Sequence, residues 1–152
     1  MNRRIAPFFA SAFVCVGLFW LSGAITAFAV QASPSSNHTV WDGVFSTEQA
    51  GRGESTYLDE CSRCHSETLE GGDFGPPVVG TAFWEEWKGK TLGDVFARIR
   101  ETMPQDNPGR LSPAQTADVV AFLMKRNGFP SGDTPLSSDA TTLQTIAVRP
   151  TR

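Results

Sequence analysis

The sequence predicts an all-α domain with three main helices. Three segments carry the end signals of helices, and loops rich in glycine and proline separate them at residues 67–80 and 105–111. No segment alternates polar and apolar residues for long enough to predict a strand, and no internal repeat is visible. We therefore expect helices and irregular loops to form one small core.

The first helix is predicted to begin after Ser46 and to run to about Cys61. Ser46-Thr47-Glu48-Gln49 resembles a capping box, in which the first and fourth side chains each bind the other residue's backbone N–H. Gly53 and Tyr57 are four residues apart and share one face. Because a glycine inside a helix costs stability relative to alanine, we expect another element to pack closely against Gly53.

The second helix is predicted to follow Thr91, which is a good N-cap residue. Its apolar face has the i, i+3, i+4, i+7 spacing of a helix and consists of Leu92, Val95, Phe96 and Ile99. It should end near Met103, because Pro104 disfavours a helical conformation in the residue before it.

The third helix has the clearest signals at both ends. Ser112 is a candidate N-cap, Pro113 occupies the first turn and Gln115 stands at N3, while Gly128 fits the C′ position. Residues 131–152 form a tail rich in serine, threonine and aspartate, which favours disorder unless its apolar side chains tie it to the domain. Those side chains are Leu136, Leu143 and Ile146.

The N-terminus predicts an export signal. Arg3 and Arg4 precede an almost wholly apolar run at residues 5–30, and small residues suited to a signal peptidase follow. The same run is long enough to be a retained membrane anchor. We thus expect residues 1–32 to be a signal peptide or anchor, and the domain to be periplasmic or anchored facing the periplasm. A linker and N-terminal strap (33–45), a domain (46–130) and the tail (131–152) would follow.

The charge of the exported part argues against nucleic-acid binding. Without Arg3 and Arg4, 11 Lys and Arg face 16 Asp and Glu, which gives a net charge of −5, and no basic run is present. This charge allows weak, electrostatically steered docking with a protein partner.

Cys61-Ser62-Arg63-Cys64-His65 is the most specific motif in the chain. Two cysteines three apart and followed by histidine are typical of covalent c-type haem attachment. Three positions are about one helical turn, so each thiol can reach one vinyl group of the porphyrin. His65 is then expected as the proximal iron ligand, with one haem c per chain.

Three other interpretations of the motif remain open at this point. A thioredoxin-like thiol pair would need a βαβ context, which the sequence lacks. A zinc site needs three or four ligands, yet beyond the motif the chain offers only Cys15 and His38. A disulfide between Cys61 and Cys64 would close a very small loop.

Met103 is the expected distal iron ligand. It lies where a helix gives way to a loop rich in proline and glycine, 38 residues after His65. The rival candidates are Met124, which sits in an apolar helix stripe typical of core packing, and His38, which lies in the polar linker.

The order of helix, Cys-x-x-Cys-His, loop, helix, Met-Pro loop and final helix resembles the class I c-type cytochromes. The likeness covers about residues 40–130. Within that class the sequence is similar to the cytochrome domains and subunits associated with pyrroloquinoline-quinone-dependent dehydrogenases. The segments that carry this likeness are Val40-Trp41-Asp42-Gly43-Val44, Leu69-Glu70-Gly71-Gly72, Thr91-Leu92-Gly93-Asp94, Arg98-Ile99-Arg100-Glu101-Thr102-Met103-Pro104 and Asn127-Gly128-Phe129-Pro130.

The resemblance implies a class I cytochrome c fold wrapped around one covalent haem. It implies that Cys61 and Cys64 carry the haem, that His65 and Met103 bind the iron, and that the carbonyl of Pro76 accepts the free N–H of His65. Pro77 is an alternative acceptor. The remaining implied roles are an aromatic contact of Tyr57 with Phe122 where the first and last helices cross, and a haem-propionate bond from Trp87, for which core packing is an equal alternative.

These features predict an electron carrier and no enzyme activity. We expect single electrons to pass between redox proteins, with a quinoprotein dehydrogenase as donor and a terminal oxidase as acceptor. A stable haem subunit of a larger dehydrogenase or oxidase complex is the alternative. A haem enzyme or ligand sensor would need an open iron position, and a peroxidase would also need an acid–base residue above it, for which no distal histidine stands within residues 46–130.

Overall fold

The computed structural model describes residues 38–150, which contain six helices and one pair of short strands. In chain order these are β1 (His38–Thr39), α1 (Thr47–Glu60), α2 (Ser62–His65), α3 (Gly80–Trp87), α4 (Leu92–Thr102), α5 (Pro113–Arg126), α6 (Ala140–Leu143) and β2 (Ile146–Ala147). The all-α class is confirmed, with α1, α4 and α5 as the three main helices. The predicted leader and Cys15 lie outside the described residues.

The three main helices begin at the predicted caps. Thr91 and Asp94 form a reciprocal capping box at α4, and Ser112 and Gln115 form another at α5. At α1 only half of the expected box is present, because Ser46 accepts the Gln49 N–H at 3.2 Å while the Gln49 side chain points elsewhere. Its amide is buried and exchanges two hydrogen bonds with the backbone of Leu136, at 3.0 and 2.6 Å.

Helices α1 and α5 pack closely at Gly53, as the sequence predicted. A Cβ atom on Gly53 would lie 1.8 Å from the carbonyl oxygen of Asp118 and 3.0 Å from the Cβ of Phe122. One helical turn further on, the rings of Tyr57 and Phe122 are 5.3 Å apart between centroids, with a 50° angle between their planes. A glycine is thus required for the two backbones to approach each other.

Helix α3 is an element that the sequence did not predict. It lacks a side-chain N-cap, and its stability comes from an aromatic cluster in which the rings of Phe83 and Trp84 lie 6.2 and 5.4 Å from that of Phe129. Trp41, in the N-terminal strap, contacts the opposite edge of the cluster at 4.9 Å from Phe129. The cluster joins both ends of the domain to α3.

The tail packs onto the domain through residue 148. Leu136, Leu143, Ile146 and Val148 are each 6% exposed or less. Strand β2 pairs in parallel with β1, which places His38 opposite Ile146, and the indole N–H of Trp41 donates to the Arg149 carbonyl at 2.8 Å. These strands escape sequence analysis because each is two residues long and depends on a partner more than 100 residues away.

None of the helices within residues 38–150 combines the length and the apolar character needed to cross a membrane.

Candidate haem site

A cavity of about 660 Å³, counted with the space at its open mouth, lies between the cysteine motif and the loop that follows α4. Its wall brings together five of the six predicted site residues, which are Cys61, Cys64, His65, Pro76 and Met103.

The cysteine motif forms a short helical turn beside the cavity. Cys61 ends α1 and begins α2, and its carbonyl accepts the N–H groups of Cys64 at 3.1 Å and of His65 at 3.0 Å. This turn brings the two cysteines and the histidine together in the lining of the cavity. The spacing expected of a helical attachment motif is therefore realised.

The imidazole of His65 is oriented by the glycine- and proline-rich loop. Its Nδ1 atom is 2.7 Å from the carbonyl oxygen of Pro76, which leaves Nε2 as the nitrogen available to a metal. Gly75 allows this approach, because a Cβ there would lie 2.9 Å from both His65 Nδ1 and the Cys64 carbonyl oxygen. Of the two prolines considered, Pro76 is the one that supplies the carbonyl.

The same loop is fastened to α5 through Asn127. The side-chain amide of Asn127 donates to the Val78 carbonyl at 3.2 Å and accepts the Gly80 N–H at 3.0 Å. Leu69 anchors the loop from within, since it is fully buried and its carbonyl accepts the Val78 N–H at 2.8 Å. These contacts hold the Pro76 carbonyl in place against His65.

The end of α4 and the loop that follows also line the cavity. Met103 is the C-cap of α4, where its N–H donates to the Ile99 carbonyl at 3.0 Å and its backbone turns extended. The extended conformation follows from Pro104, which disfavours a helical residue before it. Ile99, Met103, Pro104 and Gln105 all line the cavity.

The remaining candidate residues lie away from this cavity. Met124 is fully buried in the core, and His38 is exposed in β1. Trp87 is at the end of α3, where it packs against the core and the Lys90 ammonium lies 4.7 Å from its ring centroid. Trp87 does not line the cavity, so its contacts in this structure are those expected for core packing and not for a haem-propionate bond.

The Cys61 thiol is poorly suited to redox catalysis. Cys61 and Cys64 are not joined in a disulfide, and burial raises the pKa of Cys61 to about 11, with smaller contributions from Glu60 and Cys64. Redox-active thiols need a lowered pKa. Within residues 38–150, moreover, no group of three or more His, Cys, Asp or Glu side chains is placed to hold a metal ion, so a zinc site has no support.

The structure shows several contacts at the site that the sequence did not predict. Burial raises the pKa of Tyr57, whose phenol stays protonated and donates to the Ser66 carbonyl at 2.8 Å, behind the histidine. Asn127 had no predicted contact, although it lies in one of the segments that carry the family likeness. Two ion pairs also join the cysteine segment to the loop after Met103. They are Glu60–Arg110 and Arg63–Asp106, and their members are 50 and 43 residues apart, too far for a local pattern to reveal.

The site fits a covalently attached haem. Two free cysteines, a histidine and a methionine line the same cavity, whose surface is otherwise largely apolar. A side chain at position 75 would displace the imidazole, which explains why the loop has a glycine there. Histidine and methionine are both established haem-iron ligands.

Comparisons with known proteins agree with this assignment. The sequence profile of the family described as cytochrome c oxidase, cbb3-type, subunit III matches residues 48–123. No curated protein gives a significant match to the sequence. Among solved structures, the fold is similar to a chain of the sulfane dehydrogenase SoxCD from Paracoccus pantotrophus, at 22% identity and a TM-score of 0.50. That alignment covers 71% of this chain and 61% of the other, so the chain spans less than two thirds of its structural relative.

The family profile extends from α1 to α5 and so includes the cysteine motif, the His65 loop and Met103. Covalent haem c and electron transfer are properties of this family. The chain belongs to the family that the profile describes, and it is a class I c-type cytochrome.

Proposed function

We propose that this protein is a single-haem, exported electron carrier in which His65 and Met103 bind the iron from opposite sides. The observation that carries the proposal is the cavity itself, which Cys61, Cys64, His65 and Met103 line together. Haem c supplies a reversible one-electron couple between ferric and ferrous iron.

Each residue of the site has a distinct role in this proposal. Cys61 and Cys64 hold the porphyrin covalently, so that the carrier keeps its cofactor during repeated encounters. The Pro76 carbonyl fixes the tautomer and orientation of His65 and raises its basicity. A methionine ligand favours the ferrous state and occupies the position that a substrate would need, which suits a carrier and disfavours an enzyme.

We place the carrier in the periplasm, exported by the N-terminal signal or anchored by it. The proposed donor is a quinoprotein dehydrogenase, on the strength of the sequence likeness to cytochromes associated with such enzymes, and the proposed acceptor is a terminal oxidase. The family profile, which is named after an oxidase subunit, supports an acceptor of this kind. Encounters of this type are brief and bury small interfaces.

Stopped-flow mixing tests the proposed donor. Reduced quinoprotein dehydrogenase from the same cell is mixed with the oxidised cytochrome, and haem reduction is followed by absorbance at several salt concentrations. We expect rapid reduction that slows with salt if charge steers docking, because exposed charges are screened over about 8 Å at physiological ionic strength. No reduction at any salt concentration, alongside rapid reduction by another periplasmic donor, would reject this partner and leave the carrier function intact.

A stable subunit of a larger redox complex is the second candidate. The family profile and the similar solved structure both carry the names of multi-component redox enzymes. Size-exclusion chromatography of the natively extracted protein separates the two candidates, since a carrier elutes as a small protein and a subunit elutes with its complex.

A further inference from the structure

Two ion pairs connect the cysteine segment to the loop that follows Met103. The Arg110 guanidinium contacts the Glu60 carboxylate, and Arg63 contacts Asp106 at 3.1 Å. Glu60 and Arg63 belong to the cysteine segment, whereas Asp106 and Arg110 belong to the loop that follows Met103. We call these two pairs the clasp.

The loop has few other means of staying against the cysteine segment. Residues 105–110 are all exposed, so burial of apolar side chains does not hold them. The Arg100 guanidinium donates to the Gly109 carbonyl at 2.7 Å, which joins the end of the loop to α4 and not to the cysteine segment, and Leu111 is buried. In the described part of the chain, the clasp supplies the side-chain ion pairs that join the loop to the motif.

The two pairs of the clasp differ in their exposure to solvent. The side chains of Glu60 and Arg110 are 20% and 39% exposed, whereas those of Arg63 and Asp106 are 81% and 56% exposed. Charges that water screens less attract each other more strongly. Glu60 also lines the cavity, so we expect its pair with Arg110 to be the stronger of the two.

We propose that the clasp seats the Met103 loop and that Glu60, Arg63, Asp106 and Arg110 are positioning residues for the distal ligand. This inference rests on the proposed function, in which Met103 binds the iron. A loop held at both ends keeps the thioether close to its binding position. Loss of the clasp shifts the equilibrium towards a form in which the thioether has moved away.

Imidazole titration of the ferric holoprotein tests this inference, because imidazole must displace Met103 to bind. Arg110→Gln and Asp106→Asn each break one pair from the loop side and leave the attachment motif unchanged. We expect the apparent imidazole affinity to rise about two- to fivefold in Arg110→Gln, and less in Asp106→Asn. The near-infrared charge-transfer band of the thioether–iron bond should weaken more in Arg110→Gln than in Asp106→Asn.

Arg52→Gln is the matched control. The Arg52 guanidinium donates two hydrogen bonds to the Asp118 carboxylate, at 2.9 and 3.0 Å. This ion pair joins α1 to α5 and involves no residue of the loop, and the substitution breaks it. Imidazole affinity should stay at the wild-type value in this variant. An increase as large as that of Arg110→Gln would show that general destabilisation causes the effect, and the inference would fail.

A charge exchange and a ligand deletion complete the test. Glu60→Arg combined with Arg110→Glu should restore the affinity towards the wild-type value. In Met103→Ala the affinity should already be high and should not respond to Arg110→Gln. If wild type binds imidazole as tightly as Met103→Ala, the ligand assignment fails and the clasp with it. If Met103→Ala alone raises the affinity and no clasp variant does, the clasp is overturned and the ligand assignment stands.

Discussion

The carbonyl oxygen of Pro76 lies 2.7 Å from Nδ1 of His65, and His65 precedes Pro76 by eleven residues in the chain. The bond depends on the path of the loop between them, in which a Cβ at Gly75 would lie 2.9 Å from His65 Nδ1. A proximal imidazole that donates a hydrogen bond is more basic and stabilises ferric iron better. The geometry of this loop should therefore influence the reduction potential.

Gly75→Ala should raise the reduction potential. The new Cβ would lie 2.9 Å from His65 Nδ1, so either the ring or the Pro76 carbonyl has to move and their hydrogen bond weakens. A less basic imidazole favours the ferrous state. Gly72→Ala, in the same loop, meets only the Cys64 carbonyl oxygen at 3.2 Å and is the control. A potentiometric titration in which the potential of Gly75→Ala equals or falls below that of wild type would count against this role.

Replacement of both Cys61 and Cys64 by alanine should abolish covalent haem and destabilise the fold. The main helices are 11 to 14 residues long and are marginal alone, so they depend on the apolar contacts that the cofactor supplies. Denaturing electrophoresis with a haem stain measures the attachment. Each single variant keeps one sulfur and should remain stained, whereas a stained double variant would contradict the assignment.

Two glycines of α1 should respond to alanine in opposite directions. Gly53→Ala puts a Cβ 1.8 Å from the Asp118 carbonyl and should lower the free energy of unfolding by about 3 kcal/mol. Gly51→Ala meets nothing within 4 Å and should raise it by about 0.5–1 kcal/mol through helix propensity. Urea unfolding followed by circular dichroism measures both, and equal effects of the two substitutions would refute the close helix contact.

The Asp94 carboxylate should make stability depend on pH in the acid range. Desolvation raises its pKa, but hydrogen bonds from Thr91 and Gln144 outweigh this and lower the pKa below the ordinary value of 3.8. Because the folded pKa is the lower one, the stabilisation is complete above the ordinary value and is lost as pH falls through the folded value. Asp94→Asn should therefore cost about 1 kcal/mol at pH 7.

Urea unfolding at a series of pH values provides the measurement for Asp94. The difference between wild type and Asp94→Asn should shrink below pH 3.8. Asp133→Asn, at an exposed position in the tail, should change little at any pH. A difference for Asp94→Asn that stays constant down to acid unfolding would contradict the linkage.

Local sequence signals were sufficient to predict the main helices and to identify the cysteine motif. A cap is a short-range interaction, so Thr91, Ser112 and Gly128 could be assigned from neighbours alone, and all three lie at helix ends. The cysteine motif is equally local. Met103 was predicted from its position between a helix and a loop rich in proline and glycine, whereas the role of Pro76 came from the family likeness alone.

Long-range contacts explain what the sequence did not predict. Gln49 suits a capping box, yet its amide binds the backbone of Leu136, 87 residues away, because that contact buries and satisfies it fully. Helix α3 has no cap and depends on the Phe129 cluster. The ion pair of Glu60 with Arg110 forms only in the folded chain, and nothing in the sequence near either residue indicates it.

The binding of carbon monoxide to the reduced protein tests the central claim most directly. Absorption spectra of ferrous wild type, Met103→Ala and Met124→Leu are recorded with and without the gas. If His65 and Met103 fill both axial positions, the spectra of wild type and Met124→Leu stay almost unchanged, and only that of Met103→Ala shifts. Rapid carbon monoxide binding by wild type, or loss of the thioether signature in Met124→Leu instead of Met103→Ala, would contradict the account.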